Sequence, residues 1–145
     1  MRIRPYRKSD ARDFVALVKG LAEYEKLKPP SPAACRRMVA DIGRRIRVLL
    51  CESEGKSVGY AIYFFTYSSF LARPTLYLED VFVLPDHRRG GAGRKFFDAL
   101  FREARRERCG RMEWMVLDWN APAHRFYEKL GARPLKGWVP YRMIL

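Results

Sequence analysis

Apolar residues in the N-terminal third recur at helical spacing. Phe14, Leu17, Val18 and Leu21 fall three or four positions apart, which predicts a helix capped by Ser9 or Asp10 after a first strand over Ile3 to Tyr6. Lys28-Pro29-Pro30-Ser31-Pro32 cannot continue a helix, so a second short one is expected from Ala33 to Ile42, ended by Gly43. β-branched and aromatic residues then take over. Arg47 to Cys51 and Val58 to Phe65 read as strands joined by a hairpin at Glu54-Gly55-Lys56, and Thr75 to Leu84 reads as a further strand.

From Gly91 to Arg108 the pattern turns helical again. Phe97, Leu100, Phe101 and Ala104 lie on one face, and Arg102, Arg105 and Arg106 on the other. Cys109-Gly110 stops this helix, Met112 to Leu117 reads as a buried strand, and Asn120 followed by Pro122 opens a last helix that ends at Gly131. Trp138 to Leu145 is expected to be a final strand. An antiparallel meander followed by strand-helix alternation predicts one α/β domain over 1–145, its mixed, mostly antiparallel central sheet flanked by helices on both faces.

Composition narrows the function. With 145 residues and 48% hydrophobic content, one core and one site are expected. The longest uncharged stretch, Ser57 to Ala72, is interrupted by Thr66, Ser68 and Ser69 and falls short of the roughly 18 apolar residues a membrane span needs. Asp10, Arg12 and Asp13 break the region where a secretory leader would be apolar, so a cytoplasmic chain without membrane partners is expected. Cys35, Cys51 and Cys109 are odd in number and lack metal-ligand spacing, which points to reduced thiols and no metal site. The net charge of +13 comes from 21 Arg and 8 Lys spread along the chain, with no basic tail, recognition helix or RNA-binding aromatic signature. That distribution argues against nucleic acid, while the same field favours a polyphosphorylated small molecule.

Pro85-Asp86-His87-Arg88-Arg89-Gly90-Gly91-Ala92-Gly93 lies between a predicted strand and the best predicted helix. Glycines there remove side chains where an anion approaches, and successive N–H groups at a helix start form a cradle for a diphosphate. Arg88 and Arg94 add charge. The loop lacks the terminal Gly-Lys-Ser/Thr of a nucleotide-binding P-loop and the G-x-G-x-x-G of a dinucleotide fold. By itself it also suits a plain glycine-rich turn capping a helix.

The spacing R-x-x-G-x-G from Arg88 through Gly91 to Gly93 resembles the acetyl-CoA signature of the GNAT acetyltransferase superfamily. Leu21 to Glu25, Gly59 to Tyr67, Leu76 to Val83 and Trp119 to Tyr127 look like its diamine (spermidine/spermine) and thialysine acetyltransferase branch. The resemblance implies an acetyl-CoA-dependent N-acetyltransferase, working as a homodimer, that moves acetyl to a small primary amine by direct attack. It implies that Glu79 is the base, because an alkylamine is mostly ammonium at neutral pH, and that Tyr127 is the proton donor to the departing thiolate. It further implies coenzyme contacts at Phe82, Val83, Arg88, Arg89, Gly90, Gly91, Ala92, Gly93, Arg94, Asn120 and Tyr127, and acceptor contacts at Tyr24, Glu25, Glu79, Asp80 and Trp138. Apart from it, Glu79 reads as a solvent-facing strand residue, Tyr127 as core and Asn120 as a helix cap. His87 and His124 receive no catalytic role.

The chain also departs from that branch. It is short between the second helix and second strand and after Trp138, and Arg36, Arg37, Arg44, Arg45 and Arg47 make one region strongly basic, a rim that long polyamines should avoid. Diamines, polyamines and thialysine-like amino acids are the leading acceptors. Two other classes stay open: a protein lysine or N-terminal acetyltransferase on the same fold, and a noncatalytic module that binds acyl-CoA or nucleic acid.

Overall fold

The computed structural model describes residues 1–145, which fall into two compact units, 1–115 and 116–145. In the first unit the strands are β1 (Arg2–Pro5), β2 (Arg47–Ser53), β3 (Lys56–Ser68), β4 (Arg73–Val83) and β5 (Arg111–Trp114), and the helices are α1 (Ala11–Glu25), α2 (Pro32–Asp41) and α3 (Ala92–Arg106). The five strands form one sheet in chain order, antiparallel except for the parallel β4–β5 pair. Antiparallel neighbours need only tight turns, such as Glu54-Gly55 with φ of 51° and 75°, whereas the parallel pair needs the crossover that α3 supplies.

Alternation along the strands sorts the core onto two faces. Val48 and Leu50 of β2 and Tyr60 and Ile62 of β3 join Phe82 against Phe14, Leu17 and Val18 of α1, with Met38 and Val39 of α2 packed at the margin. On the opposite face, Gly59 comes so close to Phe96 of α3 that an added Cβ would lie 3.3 Å from its ring and 2.7 Å from the Phe82 carbonyl. Phe97 of α3 packs edge-on against Trp114 of β5 at 5.2 Å, and the Tyr63 hydroxyl donates to Glu103 of α3 at 3.1 Å. Fully buried Phe14, Phe96 and Phe97 each contribute roughly 2–3 kcal/mol from burial.

Expectation and structure differ at several ends. Asp10 precedes α1, but its carboxylate does not cap that helix; it accepts from Arg4 at 2.8 and 2.9 Å and from the Arg7 N–H at 2.7 Å. Phe96 joins the buried face of α3, and the strand begun at Arg111 stops at Trp114 rather than Leu117. The second unit contains α4 (Ala121–Lys129), started by Asn120 as expected. Trp138 to Leu145 is not a strand: it carries no regular secondary structure and its side chains are exposed. An apolar run becomes a strand only when a neighbour accepts its backbone hydrogen bonds, and Pro140 offers no N–H. No helix is long and apolar enough to cross a membrane.

Candidate active site

The segment after β4 coils through a short 3-10 turn, Pro85–Gly90, and enters α3 at Gly91. Gly91 has φ of 79°, a left-handed conformation that strains any residue with a Cβ. Being glycine, it also provides no side-chain cap, and the first turn of α3 contains no acidic residue. The first helical bond runs from the Lys95 N–H to the Gly91 carbonyl at 3.1 Å, so the donors of Ala92, Gly93 and Arg94 point outward at the positive end of a 15-residue helix. This is an anion seat. Its neighbour Gly90 has a different reason to be glycine, since a side chain there would meet Met1, whose carbonyl accepts from Lys95 Nζ at 2.9 Å.

Arg88 does not simply extend into solvent as a phosphate ligand. Its Nε–H donates to the Val83 carbonyl at 2.9 Å, and its guanidinium lies 4.3 Å from the Tyr24 ring centre and 5.6 Å from that of Phe82. It thereby ties the glycine loop to the end of β4 and to α1. Arg94 Nε donates to Asp98 at 3.0 Å, and Arg89 is exposed.

β4 outruns its parallel neighbour. β5 pairs only with Thr75 to Leu78, so the edge of β4 from Glu79 to Val83 has no strand beside it over five residues, about 16 Å at ~3.3 Å per residue. The open edge begins at a bulge. On the β3 side Ile62 pairs with Asp80 and Tyr63 with Leu78, leaving Glu79 as the extra residue. Bulges re-aim side chains, and this one places two successive carboxylates at the end of an unpaired main-chain edge.

Those carboxylates differ in environment. Glu79 is exposed. Asp80 is half-buried on the α1 face, accepts from the buried Tyr60 hydroxyl at 3.1 Å, and has its carboxyl pushed up to about 6 by burial and by the charges of Glu79 and Glu25, against the lowering effect of the Tyr60 bond. Burial also pushes the Glu25 carboxyl up. At the end of α1, Tyr24 packs against Phe82 at 6.5 Å. Tyr24, Glu25, Glu79, Asp80, Phe82, Val83 and Arg88 thus all belong to one unit, and contacts link most of them. Tyr60 was missed from the sequence, where its alternation with Ile62 marks it only as core.

In the second unit Asn120 is buried and its Oδ1 accepts from the Ala123 N–H at 3.3 Å, the cap expected of it. Tyr127 lies on α4 with its ring 5.6 Å from Phe126, half-buried. Trp138 is 75% exposed in the irregular tail. His124 Nε2 lies 3.1 Å from the Leu117 carbonyl, a structural contact.

Chemically, the first unit offers an anion seat, an open hydrogen-bonding edge and a pair of carboxylates in succession along one stretch of chain. That order suits an elongated ligand with an anionic end whose far end reaches an ammonium-binding group.

Comparison with known proteins fits that description. The sequence profile of the Acetyltransferase (GNAT) family matches residues 15–132. The thialysine N-epsilon-acetyltransferase of Mus musculus is 34% identical over 155 aligned residues, covering 97% of this chain and 91% of the relative. The L-ornithine N5-acetyltransferase NATA1 of Arabidopsis thaliana is 41% identical over 80 residues, 55% of this chain and 35% of that protein. The crystal structure of ribosomal-protein-alanine N-acetyltransferase from Brucella melitensis biovar Abortus 2308 superposes with a TM-score of 0.79 over 100% of both chains at 20% identity, a likeness of fold.

Proposed function

This chain belongs to the acetyltransferase (GNAT) family, whose members use acyl-CoA, and from that premise we propose that it transfers acetyl from acetyl-CoA to the terminal amine of a small cationic acceptor. The observation that carries the reading is the continuity of the open β4 edge with the uncapped start of α3. The first-turn donors of Ala92, Gly93 and Arg94, with Arg89 and Gly90 before them, would hold the diphosphate of the coenzyme. The main chain of Phe82 and Val83 would hydrogen-bond its arm, and the family resemblance implies Asn120 and Tyr127 as further coenzyme contacts. Arg88 fixes the loop and, with Arg94, would also add charge toward the coenzyme. Coenzyme A supplies the activated thioester.

Asp80, with Glu25 nearby, would bind the acceptor ammonium, and Tyr24 and Trp138 would offer it aromatic faces. Glu79 would take the proton that the ammonium must lose before attack, and its exposure favours relay through water. Tyr127 would return a proton to the departing thiolate.

Names of two relatives support amine acceptors: one is a thialysine and the other an ornithine acetyltransferase. Residues 1–145 are read as one acetyltransferase domain. The exposed apolar side chains of Val139, Tyr141, Met143, Ile144 and Leu145 support a homodimer that covers them, and three free cysteines suit the cytoplasm. The test is release of free CoA thiol from acetyl-CoA with a panel of diamines, polyamines, basic amino acids and lysine peptides. Turnover with small amines is expected; turnover confined to peptides would overturn the acceptor assignment.

A further inference from the structure

Tyr60 is a core residue whose hydroxyl reaches the carboxylates. It lies on β3 opposite Phe82 of β4, fully buried, with its ring 5.5 Å from that of Phe14 on α1 and 6.3 Å from that of Phe82. Packing of this kind calls for an aromatic ring and is served by phenylalanine as well as by tyrosine. The oxygen needs a separate reason, because a phenol taken out of water must find a partner.

That partner is Asp80, whose Oδ2 accepts from the Tyr60 hydroxyl at 3.1 Å. Tyr60 pairs with Phe82 and Ile62 with Asp80, so the two residues are diagonal neighbours on one face of the β3–β4 ladder. Asp80 Oδ1 accepts from no group of the chain, and no cation pairs with the carboxylate. One oxygen is held and the other stays open.

The remaining surroundings of Asp80 oppose its charge. Glu79 precedes it on β4, Glu25 faces it from α1, and burial removes water, all of which favour the protonated carboxyl. Arg88, in the turn after β4, is committed to the Val83 carbonyl and to the rings of Tyr24 and Phe82. Only the Tyr60 hydroxyl favours the carboxylate. Burial and Asp80 itself push the phenol far above its ordinary value, so it stays a donor throughout the neutral range.

A protonated Asp80 has no charge to offer an ammonium group. We propose that Tyr60 is a positioning residue for the acceptor: its hydroxyl holds one oxygen of Asp80 and keeps the carboxylate charged, with the other oxygen open to the substrate ammonium. This rests on the reading above that Asp80 binds that ammonium. Being fully buried, Tyr60 acts through Asp80 and belongs to acceptor binding rather than to the chemical step.

The experiment follows the acceptor KM for putrescine and for ornithine from pH 6 to pH 8, at saturating acetyl-CoA, in the whole protein and in Tyr60→Phe, Asp80→Asn and the double variant. Loss of one hydrogen bond to a carboxylate should move its protonation up by about one pH unit. The KM ratio of Tyr60→Phe to wild type should therefore climb from about 1 at pH 8 to about fivefold at pH 6, while kcat and the acetyl-CoA KM hold. With Asp80→Asn already in place, Tyr60→Phe should change KM by less than about twofold and add no pH dependence, an outcome that ring packing alone does not produce. Carbon-13 NMR of the Asp80 carboxyl in the wild type gives a second measurement: its midpoint should lie at about 6 and fall when putrescine is added. A KM ratio flat with pH, an undiminished effect in the Asp80→Asn background, or a midpoint unmoved by the amine would overturn the role of Tyr60 and leave the acetyltransferase reading standing. Failure to acetylate any amine would overturn that reading and the role of Tyr60 with it.

Discussion

Replacing Asp80 by Asn should make the protein more stable and less active, and the stability gain should depend on pH. The Asp80 carboxyl is pushed from an ordinary 3.8 up to about 6 because it is buried and faces Glu79 on its own strand and Glu25 on α1, with only the Tyr60 hydroxyl of β3 favouring its charged form. The folded state therefore holds a proton that the unfolded state has released between those two values, and stability falls as pH rises through that window. Above pH 6 the penalty is complete. About two pKa units at 1.36 kcal/mol each amount to ~3 kcal/mol at pH 8, falling to ~1 kcal/mol at pH 4.5. Asn keeps an acceptor for Tyr60 and never ionises; its own burial cost is the same at both pH values. Urea denaturation of both proteins at pH 8 and pH 4.5 should show the Asn advantage shrinking by about 2 kcal/mol as pH falls, or roughly 4–8 °C in melting temperature. Acetyl transfer to an amine should fall at every pH. An advantage that is constant across pH, or one that grows in acid, would refute the burial argument.

Three other substitutions test separate parts of the account. Tyr127→Phe should lower kcat by roughly 100-fold or more while acetyl-CoA affinity is kept, as measured by steady-state kinetics and calorimetry; unchanged kcat would remove the phenol from the reaction. Gly59→Ala forces a Cβ to within 2.7 Å of the Phe82 carbonyl and should cost about 1–3 kcal/mol, visible as a lower urea midpoint. Asp10→Ala leaves the Arg4 guanidinium, only 10% exposed, with Glu52 as its remaining carboxylate and should cost roughly 3 kcal/mol. Because Arg4 and the Arg7 N–H hold the Asp10 carboxyl below its usual range, the stability it contributes is present above the unfolded value of 3.8 and is lost as pH falls, a dependence the variant should lack.

Much of this fold could be read locally. α3 shows itself through Phe97, Leu100 and Ala104, and the Glu54-Gly55 hairpin through turn chemistry, since both depend on interactions a few residues apart. The glycine loop was legible for the same reason: the donors of a helix start need no distant partner. What the sequence hid depends on neighbours far along the chain. The bulge at Glu79 exists only in the register between β3 and β4, and the Tyr60–Asp80 bond joins residues twenty positions apart. The Trp138–Leu145 run has the composition of a strand without the pairing that would make it one. Arg88 fitted a phosphate motif, yet its contacts are with a carbonyl and two rings that no spacing rule predicts.

The central claim is that the start of α3 and the free edge of β4 receive the coenzyme. Titrating acetyl-CoA into the isotopically labelled protein and following backbone amides by NMR tests it most directly. The account predicts the largest shifts at Gly91, Ala92, Gly93 and Arg94, followed by Phe82 and Val83. Saturable binding that leaves these amides unmoved while perturbing others would contradict it.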